Sequence, residues 1–395
     1  VSTVLDDHTS GSQALPPGWR WAAIGQHYRF KNGLNKAKRF FGQGTPIVNY
    51  MDVFNHQRLG ADHVQGKVTV TSDEMKNYSA KQGDAFFTRT SETVSEIGMA
   101  AVLIEPIDDA VFSGFVLRGR PSNDDLKPHF AAYALRASAV RKQIELQATY
   151  TTRALTNGRS LSKVTFALPG DEDQSAIAQA LSDIDDLIAA LDALIAKNSA
   201  IRQGAIQQLL SGKLRLPGFS AAWATVQLGS LCSMKSGEGI TSRKISETGR
   251  YPVYGANGLR GFTASKTHTG VFPLIGRVGA LCGNIQIAKG DFFASEHAIV
   301  ARPKGQTDPE WLALALGRLG LNRLSEASAQ PVLTVGKLAQ LSVFAPCDPM
   351  EQKAIAVLIN DLAGESAALA ERRQKTEVLR QGMMQQLLTG RMRLA

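Results

Sequence analysis

Cysteine is scarce: Cys232, Cys282 and Cys347 are an odd number with no CxxC spacing, which speaks against both a disulfide framework and a zinc site. A reducing cytoplasm is the expected home. The histidines, His8, His27, His56, His63, His129, His268 and His297, form no HxxxH or HExxH pattern, so no metal centre is expected. Long apolar runs are missing too. The nearest, residues 99–104, ends at Glu105 and Pro106, far short of the roughly 18 to 20 residues of a membrane span, so no membrane association is expected. The loops that hold nucleotides are also lacking. Gly66-Lys67, Gly212-Lys213 and Gly336-Lys337 have no upstream glycine to complete a phosphate loop, and Gly42-Gln43-Gly44 and Gly237-Glu238-Gly239 are too short to be more than turns. The Asn/Asp-Pro-Pro-aromatic run used by amino-methyltransferases is absent, and Pro16-Pro17 is the single double proline. Ser295-Glu296-His297 does not make a nucleophile pair, because neighbouring strand residues face opposite sides.

What is present is ordinary folding material and an uneven charge. Across 395 residues, apolar side chains make up 44% and charged ones 20%, which fits two to four globular domains. The net charge of +9 is concentrated: residues 1–170 carry +5 and 216–346 carry +6, against −3 for 171–215 and +1 for 347–395. Basicity confined to two separate blocks suggests two places where a polyanion is met.

An internal repeat is the strongest signal. Residues 201–216 (IRQGAIQQLLSGKLRL) recur as 379–394 (LRQGMMQQLLTGRMRL), with 10 of 16 positions identical at an offset of 178. The same offset pairs Gln174, Ala176, Ile177, Ala178 and Asp183 with Gln352, Ala354, Ile355, Ala356 and Asp361. A weaker echo precedes each block: Pro17-Gly18, Trp19 and Ile24-Gly25 match Pro217-Gly218, Trp223 and Leu228-Gly229. The two tryptophans are read as core anchors.

The repeated segments read as long helices. Ile177, Leu181, Ile184, Ile188, Leu191 and Ile195 step by 4 and 3 in the seam spacing of a coiled coil, with Leu187, Leu194 and Ile201 widening the stripe toward a globular neighbour. The second stripe, from Ile355 through Ile359, Leu362, Ser366, Leu369, Arg373, Thr376, Arg380 and Met383 to Leu387, is interrupted by polar groups. Arg373 and Arg380 are expected to meet acids or a partner protein. Asp171 with Gln174, and Asp348-Pro349 with Glu351, have capping-box spacing, and Gly212 and Gly390 close the helices. The fold class is therefore α/β (α+β): two globular modules separated by two long coiled-coil helices, with an internal pseudo-twofold repeat. The expected layout is a flexible tail at 1–14, modules at 15–170 and 216–346, and helices at 171–215 and 347–395. Strands are expected at 45–51, 67–71, 85–88, 100–105, 110–117 and 161–169 in the first module. In the second they are expected at 270–275, 280–287, 292–293, 298–302 and 338–346. Helices are expected at 128–147 and 309–323.

The repeated Arg-Gln-Gly-x-x-Gln-Gln-Leu-Leu-x-Gly ending, the Pro-x-x-x-x-Glu-Gln start at 346–352, Tyr251-Pro252-Val253-Tyr254-Gly255-Ala256-Asn257-Gly258 and Gly276-Arg277-Val278-Gly279-Ala280 resemble the specificity subunits of Type I restriction-modification enzymes from about residue 15 onward. The first copy departs from that pattern at 169–174, where Pro169-Gly170-Asp171-Glu172-Asp173-Gln174 stands. The resemblance implies two target recognition domains reading a bipartite site in double-stranded DNA, held apart by two antiparallel helices that dock two methyltransferase subunits. Restriction subunits join the same complex. Catalysis then lies with the partners, which carry S-adenosylmethionine, ATP and Mg, while this chain needs no cofactor.

Candidate DNA contacts follow from the side chains that suit base edges and phosphates. They are Asn32, Lys36, Lys38, Arg39, Asn49, Arg89, Thr90 and Ser91 in the first module, and Ser236, Arg243, Tyr254, Asn257, Arg260, Arg277 and His297 in the second. The partner-docking candidates are Arg202, Gln203, Gln207, Arg380, Gln381 and Gln385. A coiled-coil scaffold whose modules bind protein or RNA is the alternative reading, and the bases recognised are not legible.

Overall fold

The computed structural model describes residues 15–150, 152–279, 281–324 and 332–394; the expected 1–14 tail lies outside them. Two compact units emerge: Val1–Ala190 with Arg372–Ala395, and Leu191–Glu371. Each unit combines one sheet-rich module with half of each of two long helices, Asp171–Leu209 and Pro349–Leu387.

The first unit centres on a five-stranded sheet in the order Tyr28–Asn32, Val116–Pro121, Ala85–Thr88, Ala100–Leu103, Arg58–Leu59. Its strands Ala85–Thr88 and Ala100–Leu103 are buried at every position because both faces are covered. Ala85, Phe87, Ala100 and Val102 face helix Pro128–Ala134, while Phe86, Ala101 and Leu103 pack with Val48, Val53 and Phe112. The second unit has a six-stranded sheet, ordered Cys232–Ser236, Ala298–Pro303, His268–Gly276, Ile285–Ala294, Tyr251–Gly255, Gly258–Thr263. Helix Pro309–Arg318 seats Trp311, Leu312, Ala315 and Leu316 against Ile275, Ile299 and Ala301.

The long helices follow their seam. Ile177, Leu181, Ile184 and Ile188 are buried in the first unit, as are Leu209, Ile355 and Ile359 in the second. In the first unit the halves run antiparallel, with Arg380 on Asp185 and Arg393 on Asp173. In the second, Arg215 on Glu351 gives the same sense. Leu187, Leu194 and Ile201, expected to lean on a neighbour, are exposed instead. Gly212 and Gly390 end the helices at φ +68° and +69°, where a side chain would be strained.

The acids and glutamines at the helix starts work differently from capping boxes. Gln174 donates its backbone N–H to Gly170, so Asp171 already lies inside the helix. The Gln174 side chain accepts from the Lys127 N–H (2.8 Å) and donates to Asp125 (2.8 Å) and Pro169 (3.0 Å). Gln352 repeats this, accepting from the Asp308 N–H and donating to Pro346. Both modules are thus fastened to a helix start at the residue preceding a proline-led helix. Asp348 does cap its helix, accepting from the Met350 N–H, but the buried Glu351 accepts from Arg215 Nε (2.9 Å), Arg215 Nη2 (2.7 Å) and Trp223 Nε1 (3.2 Å). Asp173 likewise accepts from Trp19 Nε1 (2.9 Å) and Arg393 Nη2 (3.0 Å). Trp19 is buried and Trp223 partly so, each donating to an acid that an arginine also binds.

Other expectations shift for local reasons. The strand at 45–51 stops at Val48, because Asn49 and Asp52 form a capping box that starts helix Tyr50–Asn55. The strand at 110–117 is split by a turn into Val111–Phe112 and Val116–Pro121. The helix at 128–147 breaks into Pro128–Ala134 and Ser138–Leu146 where Arg136 turns inward to donate to the carbonyls of Val53, Phe54, His56 and Ala100. Burial pulls that guanidinium down to about 10, with the charges of Arg141 and Arg380 adding. The runs at 161–169 and 338–346 begin as short helices, Gly158–Ser162 and Val335–Ala339, before strands Thr165–Leu168 and Ser342–Pro346. The run at 280–287 starts at Ala280, outside the described residues; Leu281 opens a turn and the strand is Ile285–Ala294. The helix at 309–323 stops at Arg318, and Leu321–Leu324 is a separate 3-10 turn.

Candidate nucleic-acid interface

One backbone framework is built in both units, and six of the 15 sequence-derived DNA candidates, Asn32, Arg89, Ser236, Tyr254, Arg277 and His297, sit on it. In the first unit strand Tyr28–Asn32 runs into Gly33 and Leu34; the Leu34 N–H donates to Phe112 and the Gly114 N–H donates back to Leu34. In the second unit Cys232–Ser236 runs into Gly237 and Glu238, with Glu238 donating to Ala294 and Glu296 to Glu238. Ser113 donates to Val48 and Val116 donates to Ser113; Ser295 donates to Tyr254 and Ala298 donates to Ser295. After the middle strand, Arg89 donates to Phe115 and accepts from Thr156, while Arg277 donates to His297 and accepts from Leu333. The same bonds thus recur partner for partner, so Asn32 matches Ser236, Arg89 matches Arg277, and Phe115 matches His297.

Glycine makes the framework possible. A Cβ on Gly33 would lie 2.1 Å from the Ser113 oxygen, and one on Gly237 would lie 2.3 Å from the Ala294 oxygen. Only a bare backbone allows that approach.

The side chains around it are of the kinds that meet DNA. Asn32 and Arg89 line an open cleft of about 440 Å³ with Phe30, Lys31, Leu117, Asn157, Gly158 and Arg159. Lys38 and Arg39 lie exposed on 3-10 turn Lys38–Phe40, matched by Arg243 on Ser242–Lys244. In the second unit Ser236, Tyr254, Asn257, Arg260, Arg277 and His297 converge at one end of the sheet. Asn257 accepts from Asn284, the stem of exposed Arg260 lies over Gly255, and Arg277 reaches the Glu296 carbonyl. Tyr254 contributes mainly to the core, its ring edge-on to Phe292. The signal that sequence reading missed here is Phe115, which is 65% exposed on its turn. Arg159 and Lys31 were missed as well, since each is an isolated basic residue until the fold gathers them.

Several candidates are committed elsewhere. Lys36 binds Glu74 and the Thr69 carbonyl, with its ammonium over the Phe40 ring. Asn49 starts a helix and abuts Gly66. Ser91 is buried and donates to Glu96, and Thr90 is paired to Leu155 in a small sheet. The side chains of Lys36, Asn49 and Ser91 thus have partners within the fold, while Thr90 is placed by its backbone.

On the helices, Gln203, Gln207, Gln381 and Gln385 are exposed beside exposed Ile201 and Leu379. Arg380, Gln381 and Gln385 also line a groove of about 800 Å³ in the first unit, with Trp21, Leu146 and Met384. Arg380 itself is held by Asp185 and Gln57, so the acid it was expected to meet lies within its own unit. Its repeat mate Arg202 keeps a buried Nε with no hydrogen-bond partner.

The described residues hold no group of three or more His, Cys, Asp or Glu side chains placed to bind a metal. Burial pushes the Cys232 thiol up to about 11 and also raises Cys282. No helix among the described residues is long and apolar enough to cross a membrane.

Comparison with known proteins converges on one family. Residues 221–380 match the family described as Type I restriction modification DNA specificity domain. The Type I restriction enzyme EcoprrI specificity subunit of Escherichia coli is 42% identical over 123 residues, a stretch spanning 30% of this chain and 31% of that protein. Two solved structures share the fold. The S subunit of a Type-I restriction-modification system from M. genitalium matches with a TM-score of 0.64 at 18% identity, covering 94% of this chain and 96% of that one. The HsdS subunit from Thermoanaerobacter tengcongensis matches at 0.53 and 17%, covering 97% and 99%. Residues 221–380 are therefore similar to the Type I restriction modification DNA specificity domain, while the matched stretch spans under a third of the curated relative's length.

Proposed function

We propose that this chain is the sequence-reading, non-catalytic subunit of a cytoplasmic Type I restriction-modification complex. Each module reads one half of a bipartite site in double-stranded DNA, and the helices dock two methyltransferase subunits, with restriction subunits completing the complex. S-adenosylmethionine, ATP and Mg belong to those partners. The observation that carries the reading is the shared framework: two basic modules offer an arginine, Arg89 or Arg277, from the same pair of backbone bonds. Two equivalent readers on one chain are what a two-part site requires. Arg39 and Arg243 supply phosphate contacts on matching turns, and the exposed glutamines of the repeated motif supply two docking surfaces.

The test is methylation mapping with the partner methyltransferase, using Arg89→Ala and Arg277→Ala. A bidentate arginine contact to a base is worth about 1–3 kcal/mol of discrimination, roughly 5- to 150-fold. Each variant is expected to relax one half-site and leave the other intact. Both variants relaxing the same half, or neither relaxing any, would refute the assignment.

A further inference from the structure

We propose that Phe115 contacts the 5-methyl group of a thymine in the half-site read by the first module, and that this contact helps set which sequence that module accepts. The inference rests on the DNA-reading function above. Exposure alone would not carry it, since single apolar residues on a surface are common. Position does. Phe115 sits at the tip of the turn closed by the Val116 N–H on the Ser113 carbonyl, the place that His297 takes in the second unit. The backbone of that turn is closely packed, since a Cβ on Gly33 would lie 2.1 Å from the Ser113 oxygen and one on Gly114 2.0 Å from Asn35 Oδ1, and the Phe115 side chain is 65% exposed. The Phe115 carbonyl accepts from the Arg89 N–H, so ring and guanidinium leave adjoining points of one rigid frame.

Beside them the cleft adds Asn32, Lys31 and Arg159. An apolar tip on a frame shared with Arg89, which lines that basic cleft, fits a surface that is polyanionic overall yet presents an apolar group at defined places. The thymine methyl is that group in the major groove. In the second module the same tip is an imidazole, 44% exposed, which hydrogen-bonds to base edges instead. Like frames with unlike tips give the two modules different preferences.

The experiment uses the full chain with its methyltransferase partner and a duplex carrying the mapped site, replacing each thymine in turn by deoxyuridine. Wild type is expected to lose about fourfold in affinity at one thymine, the worth of one buried methyl group. That thymine is expected in the half-site that Arg89→Ala relaxes. Phe115→Ala should bind the normal duplex more weakly and show no further loss at that position, while Phe115→Leu retains the discrimination and shows that the turn still folds. His297→Ala should leave the first half-site scan unchanged. Additive losses in Phe115→Ala, no thymine sensitivity in that half, or a half-site without thymine would overturn the proposal. If the arginine variants leave both half-sites intact, the DNA-reading function itself fails, which is a separate result.

Discussion

Replacing Gln174 by leucine tests whether the modules are held to the helices as the structure indicates. Gln174 is 1% exposed and makes three side-chain hydrogen bonds, to the Lys127 N–H and to the Asp125 and Pro169 carbonyls. Leucine keeps much of the volume and removes all three. At about 1 kcal/mol net for each neutral bond, the expected cost is roughly 3 kcal/mol. Gln352→Leu removes two bonds, to Asp308 and Pro346, for about 2 kcal/mol. In units of roughly 200 residues these losses lower the melting temperature by about 6–12 °C and 4–8 °C. Hydrogen exchange read by mass spectrometry assigns each loss to its unit. Gln174→Leu should speed exchange across Pro128–Ala134 and leave Pro309–Arg318 unchanged, with the reverse for Gln352→Leu. A shift below about 2 °C, or equal loosening of both units, would show that these glutamines are not the fasteners.

Two further outcomes follow. Gly390→Ala places a Cβ 2.8 Å from Pro16 and 3.2 Å from the Trp19 ring at φ +69°, whereas Gly212→Ala meets Phe344 at 3.1 Å and Trp223 at 3.3 Å. Both should cost about 1–3 kcal/mol in urea unfolding, with Gly390→Ala the larger, and the opposite order would contradict the packing. Burial holds His56 below the usual imidazole range, aided by the charges of His63 and Arg136 against the pull of Asp52. Burial and Arg302 do the same for His268, where Lys235 adds and Glu238 opposes. Because folding disfavours their protonated forms, stability is fully present above about pH 6.5 and is lost as pH falls below it, until the depressed folded values are reached. A thermal melt series from pH 7.5 to 5.5 should show this decline, reduced in His56→Asn and His268→Asn; equal pH slopes in wild type and variants would count against it.

The architecture was legible because its signals are periodic. Ile177, Leu181 and Ile184 report a helix seam through spacing alone, and the recurrence of 201–216 at 379–394 reports a twofold plan. The framework of the interface was only half legible. Arg89 and Arg277 were selected because arginine suits DNA, yet their equivalence rests on bonds to the Phe115 and His297 carbonyls that no local pattern announces. Phe115 reads as core material until the glycine-tight turn leaves it outside. Lys36 and Asn49 have the right chemistry for a ligand, but Glu74 takes the Lys36 ammonium and the Ile47 carbonyl takes the Asn49 amide first. Competition between internal and external partners is settled by tertiary structure, which a single sequence does not display. Leu187, Leu194 and Ile201 mislead for a related reason, since an apolar stripe does not say whether its cover comes from the same chain.

The two units also differ in when they can be completed. Leu191–Glu371 is one unbroken stretch, so everything its core requires has been synthesised once residue 371 is made. The other unit needs Arg393 for Asp173, and Leu387 and Leu388 for the cluster around Ile177 and Leu181. At about 5–20 residues per second, some 10–40 seconds of translation separate residue 190 from residue 394. During that interval the first unit lacks the closing half-helix, while every residue of the second unit is made. The unit begun first is thus the one whose residues are completed last.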